Sequence, residues 1–265
     1  MKTDIIVPTY NNEDYTVACF KSIKECTDPG AYRLIWVDNG SKDTGRVQSV
    51  VEDMPCTKIR FAENKGFVAA INAGLVESTA DAVCLLNNDT EVSQGWLRKL
   101  LRSLYSEDDL GIIGPMTGPP AKDTMFDSHH NIAYQQRFRK VPIFPAWIDL
   151  EDYNRKVEVQ LPNVTADISF VAFLCAVIKR SVIDKVGLLD TNYAMGMWDD
   201  ADYNFSILKA GYRKRILLDT CIIHHGRSTF RVVEREEGLD VPALLAKNRA
   251  YLDKKWGLES ETKGH

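Results

Sequence analysis

Short apolar runs recur through the first 115 positions. Each is followed by a polar loop and then by apolar residues at helical spacing. DIIVP (4–8), RLIWVD (33–38), TKIRF (57–61), AVCLLN (82–87) and GIIGP (111–115) read as strands. Between them, Glu13 to Cys26 carries Val17, Phe20 and Ile23 on one helical face. Asp43 to Met54 reads as a helix with Asp43 as its N-cap, and Phe67 to Ser78 and Trp96 to Tyr105 read as two more. Strands alternating with helices imply βαβ units, hence a parallel sheet with helices on both faces. Ligands in such sheets sit beyond the carboxyl ends of the strands, here the loops 8–14, 38–43, 62–67 and 87–91.

From about 116 to 165 the period is lost, in a stretch rich in Pro, Asp, His and aromatic residues. It reads as a variable insertion or lid. Order returns with the apolar run ISFVAFLCAVI (168–178) and a short helix in SVIDKVGLLD. A helix then spans Asp199 to Gly211, with Ala201, Phe205, Leu208 and Tyr212 on one face. RILLD and CIIHH are strand-like, and Pro242 to Trp256 reads as a terminal helix with proline near its start.

Composition narrows the classes. With 265 residues, 45% hydrophobic and 26% charged, the chain can bury a sizeable core. A net charge of −4 argues against nucleic acid as partner, which needs a basic footprint. Met1-Lys2 leads straight into a strand-like segment, and no apolar run approaches a membrane span, so a cytoplasmic protein is expected. The six cysteines lack metal-binding spacing and are expected as buried free thiols. Four N-x-S/T sequons, at Asn39, Asn88, Asn163 and Asn204, are expected to be accidental.

The chemistry concentrates in PTYNNEDY (8–15), DNGSKDTG (38–45), AENKGFVAAINAGL (62–75) and NNDTEV (87–92). Each alone is ordinary turn composition. Four polar loops at one sheet edge would instead build a polar cleft. No G-x-G-x-x-G follows the first strand and no G-x-x-x-x-G-K-[ST] occurs, which removes dinucleotide oxidoreductases and P-loop enzymes.

VPTYNN, I-x-VDNGSxD, ENKGFxxAxNxGL and LLNNDTEV, followed by WDDADYNFSILKAGYR (198–213) and IIHHGRST (222–229), resemble the inverting nucleotide-sugar glycosyltransferases of family 2. The likeness extends to bacterial rhamnosyltransferase-like and polysaccharide-biosynthesis members. The resemblance implies a GT-A fold: a Rossmann-like, mostly parallel sheet flanked by helices, in a single domain with a variable insertion. Residues 1–115 would be the nucleotide-sugar-binding half, 116–167 an acceptor lid, and 168–265 the acceptor-side half.

The resemblance also implies roles. Asp89 matches the metal-binding last acid of D-x-D, for Mn²⁺ or Mg²⁺. Asn87 stands where the first acid usually is, on the ribose side. Asp38 resembles the acid that reads the uracil or thymine edge, so the donor would be a UDP- or dTDP-sugar. Pro8, Thr9 and Tyr10, with Asn64 and Gly66, resemble the remaining nucleotide contacts. Asp199 and Asp200 resemble the E-D pair, Asp200 as general base, and Asp202 would be structural. One late histidine would complete the metal site, His224 in preference to His225. The acceptor would be a hydroxyl of a glycan or lipid-linked glycan. N-x-D in place of D-x-D keeps one alternative open, a non-catalytic module that binds sugar nucleotides. The basic and aromatic stretch RFRKVPIFPAWI (137–148) reads as part of the acceptor lid. A sharper alternative is peripheral contact with the inner face of a membrane.

Overall fold

The structure, a computed structural model, describes residues 2–118, 149–226 and 228–258. The first half follows the periodic reading closely. β1 (Thr3–Thr9), α1 (Glu13–Cys26), β2 (Tyr32–Asp38), α2 (Gly45–Val51), β3 (Cys56–Arg60), α3 (Phe67–Glu77), β4 (Ala82–Leu86), a short β5 (Thr90–Glu91), α4 (Trp96–Leu104) and β6 (Leu110–Thr117) follow in order. Helix α2 starts later than expected. Thr44 is its N-cap residue, while Asp43 accepts the Gly45 N–H at 3.0 Å in a local turn.

The second half holds α5 (Leu150–Gln160), β7 (Thr165–Asp167), β8 (Cys175–Lys179), α6 (Arg180–Val186), α7 (Asp199–Lys209), β9 (Arg213–His224), α8 (Ser228–Glu237) and α9 (Val241–Trp256). The run 168–178 is a strand only at its end, and RILLD and CIIHH belong to one strand. Between Pro115/Leu217 and Met116/Cys221 the β6–β9 register shifts. That irregularity places the buried Asp219-Thr220 inside the apolar strand.

The sheet order is β3-β2-β1-β4-β8-β6-β9-β5, with β7 also on β9. β1, β2, β3 and β4 run parallel; β8 is antiparallel to both β4 and β6, and β6 is parallel to β9. Most strands therefore point one way, with β8 as the internal reversal. One face packs on α1 and α4 through Phe20, Trp36, Trp96 and Leu100. The other packs on α3, α6 and α7 through Ile71, Val182, Tyr193 and Ile207. Gly74 allows α3 to sit directly on β1, since a Cβ there would lie 2.5 Å from Ile6 Cγ2.

All six cysteines are free, four of them buried. Of the four sequon residues Asn39, Asn88 and Asn204 are buried, whereas Asn163 is exposed. No described helix is long and apolar enough to cross a membrane. RFRKVPIFPAWI lies outside the described residues.

Candidate active site

A cleft of about 890 Å³ opens at the carboxyl ends of β1, β2 and β4. Its walls include Pro8, Thr9, Tyr10, Asn64, Asn87, Asp89, Asp199, Asp200 and His224. Nine of the eleven residues singled out from the sequence thus share one cavity. Asp38 and Gly66 do not reach its wall. Asp38 is fully buried; one oxygen accepts the Ser41 N–H at 3.0 Å and the other sits 2.7 Å from Arg60 Nη1. Gly66, at φ 86°, packs so closely against the Ala194 carbonyl that a Cβ has no room. The wall residue between them is Asn39, which sequence reasoning passed over. Its side chain bonds Asn64 Oδ1 at 2.9 Å, the Gly66 carbonyl at 3.1 Å and the Lys65 N–H at 2.9 Å. Its place beside the strand-end Asp38 was the available signal.

Thr9 is committed too, its Oγ1 accepting the Trp36 indole N–H at 2.8 Å. Helix α8, absent from the sequence reading, lies over the same loops. Glu236 pairs with Lys42 Nζ at 2.8 Å and accepts from Asn11 at 3.4 Å. Glu237 accepts from Asn64 Nδ2 at 3.2 Å and from the Tyr10 phenol, whose pKa its carboxylate pushes up to about 12. The signal for α8 was the helix-favouring run VVEREE (232–237), with Val232 and Val233 buried.

The acid of N-x-D meets the late histidine through the β5–β9 ladder, which sets Thr90 opposite His224. His224 Nε2 lies 3.3 Å from Asp89 Oδ1, and the Asp89 carbonyl accepts the His225 N–H at 2.9 Å. His225 instead turns to Glu91 Oε1 at 2.7 Å and to the ring of Tyr15. Strand alternation would turn one histidine away from the cleft, but both line it, because the strand ends at His224 and His225 already belongs to the following loop; the two differ in their carboxylate partners. His224 Nε2 is buried and makes no hydrogen bond. Asn87 faces the cleft, its own N–H held by the Leu174 carbonyl at 2.9 Å.

Asp199 and Asp200 open α7 after a turn with positive φ at Ala194, Gly196, Met197 and Trp198. Such backbone is held only where surroundings over-determine it. Here the buried Asn248 of α9 supplies the grip, donating to the Gly196 carbonyl at 2.8 Å and the Met197 carbonyl at 3.1 Å. Asp199 is buried with Oδ2 unpartnered, and burial together with the Asp200 charge raises its pKa well above the carboxylate range. Burial raises Asp200 to about 6, against N–H groups of Ala201 and Phe173 that favour its charge. The two carboxyls titrate as a pair, both held above the ordinary carboxylate range by burial. Asp202 points away, accepting from Lys255 at 2.9 Å and Trp256 Nε1 at 2.7 Å. It therefore anchors α9, a structural role.

Residues 4–187 match the family model described as Glycosyl transferase family 2. The probable polypeptide N-acetylgalactosaminyltransferase 8 of Homo sapiens is 26% identical over 205 residues, covering 75% of this chain but only 29% of that protein. Among solved structures, the mannosyltransferase PcManGT from Pyrobaculum calidifontis, in complex with GDP-Man and Mn²⁺, superposes with TM-score 0.63 at 17% identity. That match covers 95% of this chain and 69% of the other. GalNAc-T7 with UDP, GalNAc and Mn²⁺ gives TM-score 0.64 at 14% identity, over 98% and 56%. The shared fold is GT-A.

Proposed function

The chain belongs to glycosyl transferase family 2, and on that premise we propose that it moves a sugar from a UDP- or dTDP-sugar to a hydroxyl of a glycan or glycolipid acceptor, with inversion and with Mn²⁺ or Mg²⁺ as cofactor. The observation that carries the reading is one cleft lined both by Asp89 and His224, 3.3 Å apart, and by the Asp199-Asp200 pair. The two solved relatives, captured with GDP-Man and Mn²⁺ and with UDP, GalNAc and Mn²⁺, support a nucleotide-sugar donor and a divalent cation. In this reading residues 1–115 hold the donor and 168–265 supply the base, while α5 and β7, expected within the acceptor lid, pack on and pair with β9 as part of the body.

The donor atoms fit a cation. A buried imidazole nitrogen without a hydrogen bond lies 3.3 Å from a carboxylate oxygen, and imidazole and carboxylate are both metal-ligating groups. Asp89 and His224 would hold the ion. Among the described residues no cluster of three or more His, Cys, Asp or Glu offers a fuller shell, so substrate phosphates and water would complete it. The cation supplies charge neutralisation for the departing diphosphate.

The remaining work falls to side chains. Asp200 accepts the proton of the acceptor hydroxyl as its oxygen bonds to the anomeric carbon and the bond to the diphosphate breaks. In this reading the base lies opposite the departing diphosphate, so attack and departure take opposite faces of the sugar and the anomeric centre is inverted. Asn87 offers its amide to the ribose. The test is slow donor hydrolysis across UDP-, dTDP- and GDP-sugars, with and without Mn²⁺, since it requires no known acceptor. Turnover of a uridine or thymidine donor that stops on chelation supports the reading. Hydrolysis of none of them, or hydrolysis indifferent to chelation, overturns it.

A further inference from the structure

Among the described residues three lysines are buried in the fold, Lys99, Lys179 and Lys214. Two are provided for. Lys99 Nζ meets Glu158 at 2.8 Å, and Lys179 Nζ donates to the carbonyls of Glu107 and Asp108 at 2.7 and 3.1 Å. Lys214 has only a long contact of 3.4 Å to the Asn204 carbonyl, and no carboxylate faces it among the described residues. Burial lowers its pKa, with no charge nearby to offset the cost. It is also the buried lysine that lines the cleft. A buried ammonium with two unused donors is expensive unless something pairs with it.

Its position says what that partner is near. Asn204 lies one turn along α7 from Asp200, and its side chain donates to the Asp200 carbonyl at 2.8 Å while bonding Val171 at 2.8 and 2.9 Å. One helical turn is about 5.4 Å, on the scale of a single sugar ring. Ser169, Phe170 and Phe205 complete this wall, opposite the loops of β1 and β4. We propose that Lys214 is the anion-binding residue of an acceptor subsite, so that the accepting sugar carries a carboxylate or a phosphate. This rests on the transferase reading for the word acceptor. The anion preference itself does not depend on turnover. The anionic group accepts from Nζ while a hydroxyl of the same unit reaches Asp200, and Phe170 and Phe205 offer apolar contact to the ring.

The test uses the whole chain and three probes that differ at one carbon: methyl β-glucuronide, methyl β-glucoside 6-phosphate and methyl β-glucoside. Binding is measured by calorimetry or ligand-observed NMR, on wild type, K214R and K214M. One charge-assisted hydrogen bond sets the expected scale. At least one anionic probe binds wild type about tenfold or more tightly than the neutral glucoside. K214R keeps the preference and K214M loses it. Which anion wins identifies a uronate-bearing or a phosphorylated acceptor. Equal binding of all three probes, including no binding of any, overturns the proposal. So does a preference that survives in K214M. A K214M that fails to fold also overturns it, because methionine in place of an unpaired buried lysine leaves no structural loss. A chain that prefers the anionic probes yet hydrolyses no nucleotide sugar fails the transferase reading alone.

Discussion

At the scale of single residues, the proposed chemistry rests on the two acids of α7 and on the acid–histidine contact at the β5–β9 ladder. Asp200→Asn removes the base but leaves the donor loops untouched. Transfer or donor hydrolysis should fall about 10²–10⁴-fold while UDP affinity is kept. Normal turnover in that variant would move the base elsewhere. The wild-type rate should rise with pH through about 6, where Asp200 ionises. Stability runs the opposite way. The folded pKa is raised, so the contribution is full below the unfolded value near 4 and is lost as pH climbs through 6. Asp200→Asn should therefore gain stability relative to wild type above pH 6 and not below pH 4, which thermal melts across that window would show. Asp89→Ala should abolish the Mn²⁺-dependent part of UDP affinity. Unchanged linkage in titrations with and without Mn²⁺ would place the cation away from His224. Roles at this scale were only partly legible. Asp89, His224 and Asp200 stood out by residue type and order. That Asp38 faces Arg60 and not the cleft depends on a partner 22 positions away on the neighbouring strand, which no local pattern shows.

At the scale of elements, the first half was legible because period and topology agree. β1, α1, β2, α3 and β4 each match an apolar run or a helical face that the sheet then buries. The second half was less so, for three physical reasons. β8 runs antiparallel, and an apolar run gives no direction. β9 carries a buried Asp-Thr pair at its irregularity, which looks like a strand end in the sequence. α5 and α8 are short and charge-rich. Yet α5 had a usable signal in Asp149, whose side chain caps the Asp152 N–H at 2.8 Å, with Leu150, Tyr153 and Val157 on one face. The consequence for function lies with α8. Glu237 already holds Tyr10 and Asn64, two of the side chains expected on the nucleotide. A donor must displace these bonds, and charged acceptors make them stronger than neutral ones. Glu237→Gln should accordingly tighten UDP binding by roughly three- to tenfold. Weaker binding in that variant would mean that α8 helps to grip the nucleotide.

At the scale of the whole molecule, the cleft joins pieces that are distant in the chain: Asp89 with His224, Tyr10 with Glu237, Asn39 with Asn64. The two largest core clusters rest on the same sheet, and α9 locks the turn that carries Asp199 and Asp200. A ligand that binds across these pieces stabilises the fold by mass action, since the unfolded chain has no such site. At a concentration one hundred times its Kd the gain is about 2.7 kcal/mol. For a domain of this length that amounts to roughly 5–10 °C in Tm. Asp89 and His224 alone make a sparse shell, so Mn²⁺ without nucleotide should shift the melt little, and UDP without Mn²⁺ should shift it less than both together. The shift should come in one transition, because the ligand's contacts lie on both halves of the sheet. A melt that responds equally to UDP with and without Mn²⁺ would remove the cation from donor binding. A melt that responds to no nucleotide, even with Mn²⁺, would remove the donor itself and leave the cleft without its proposed substrate.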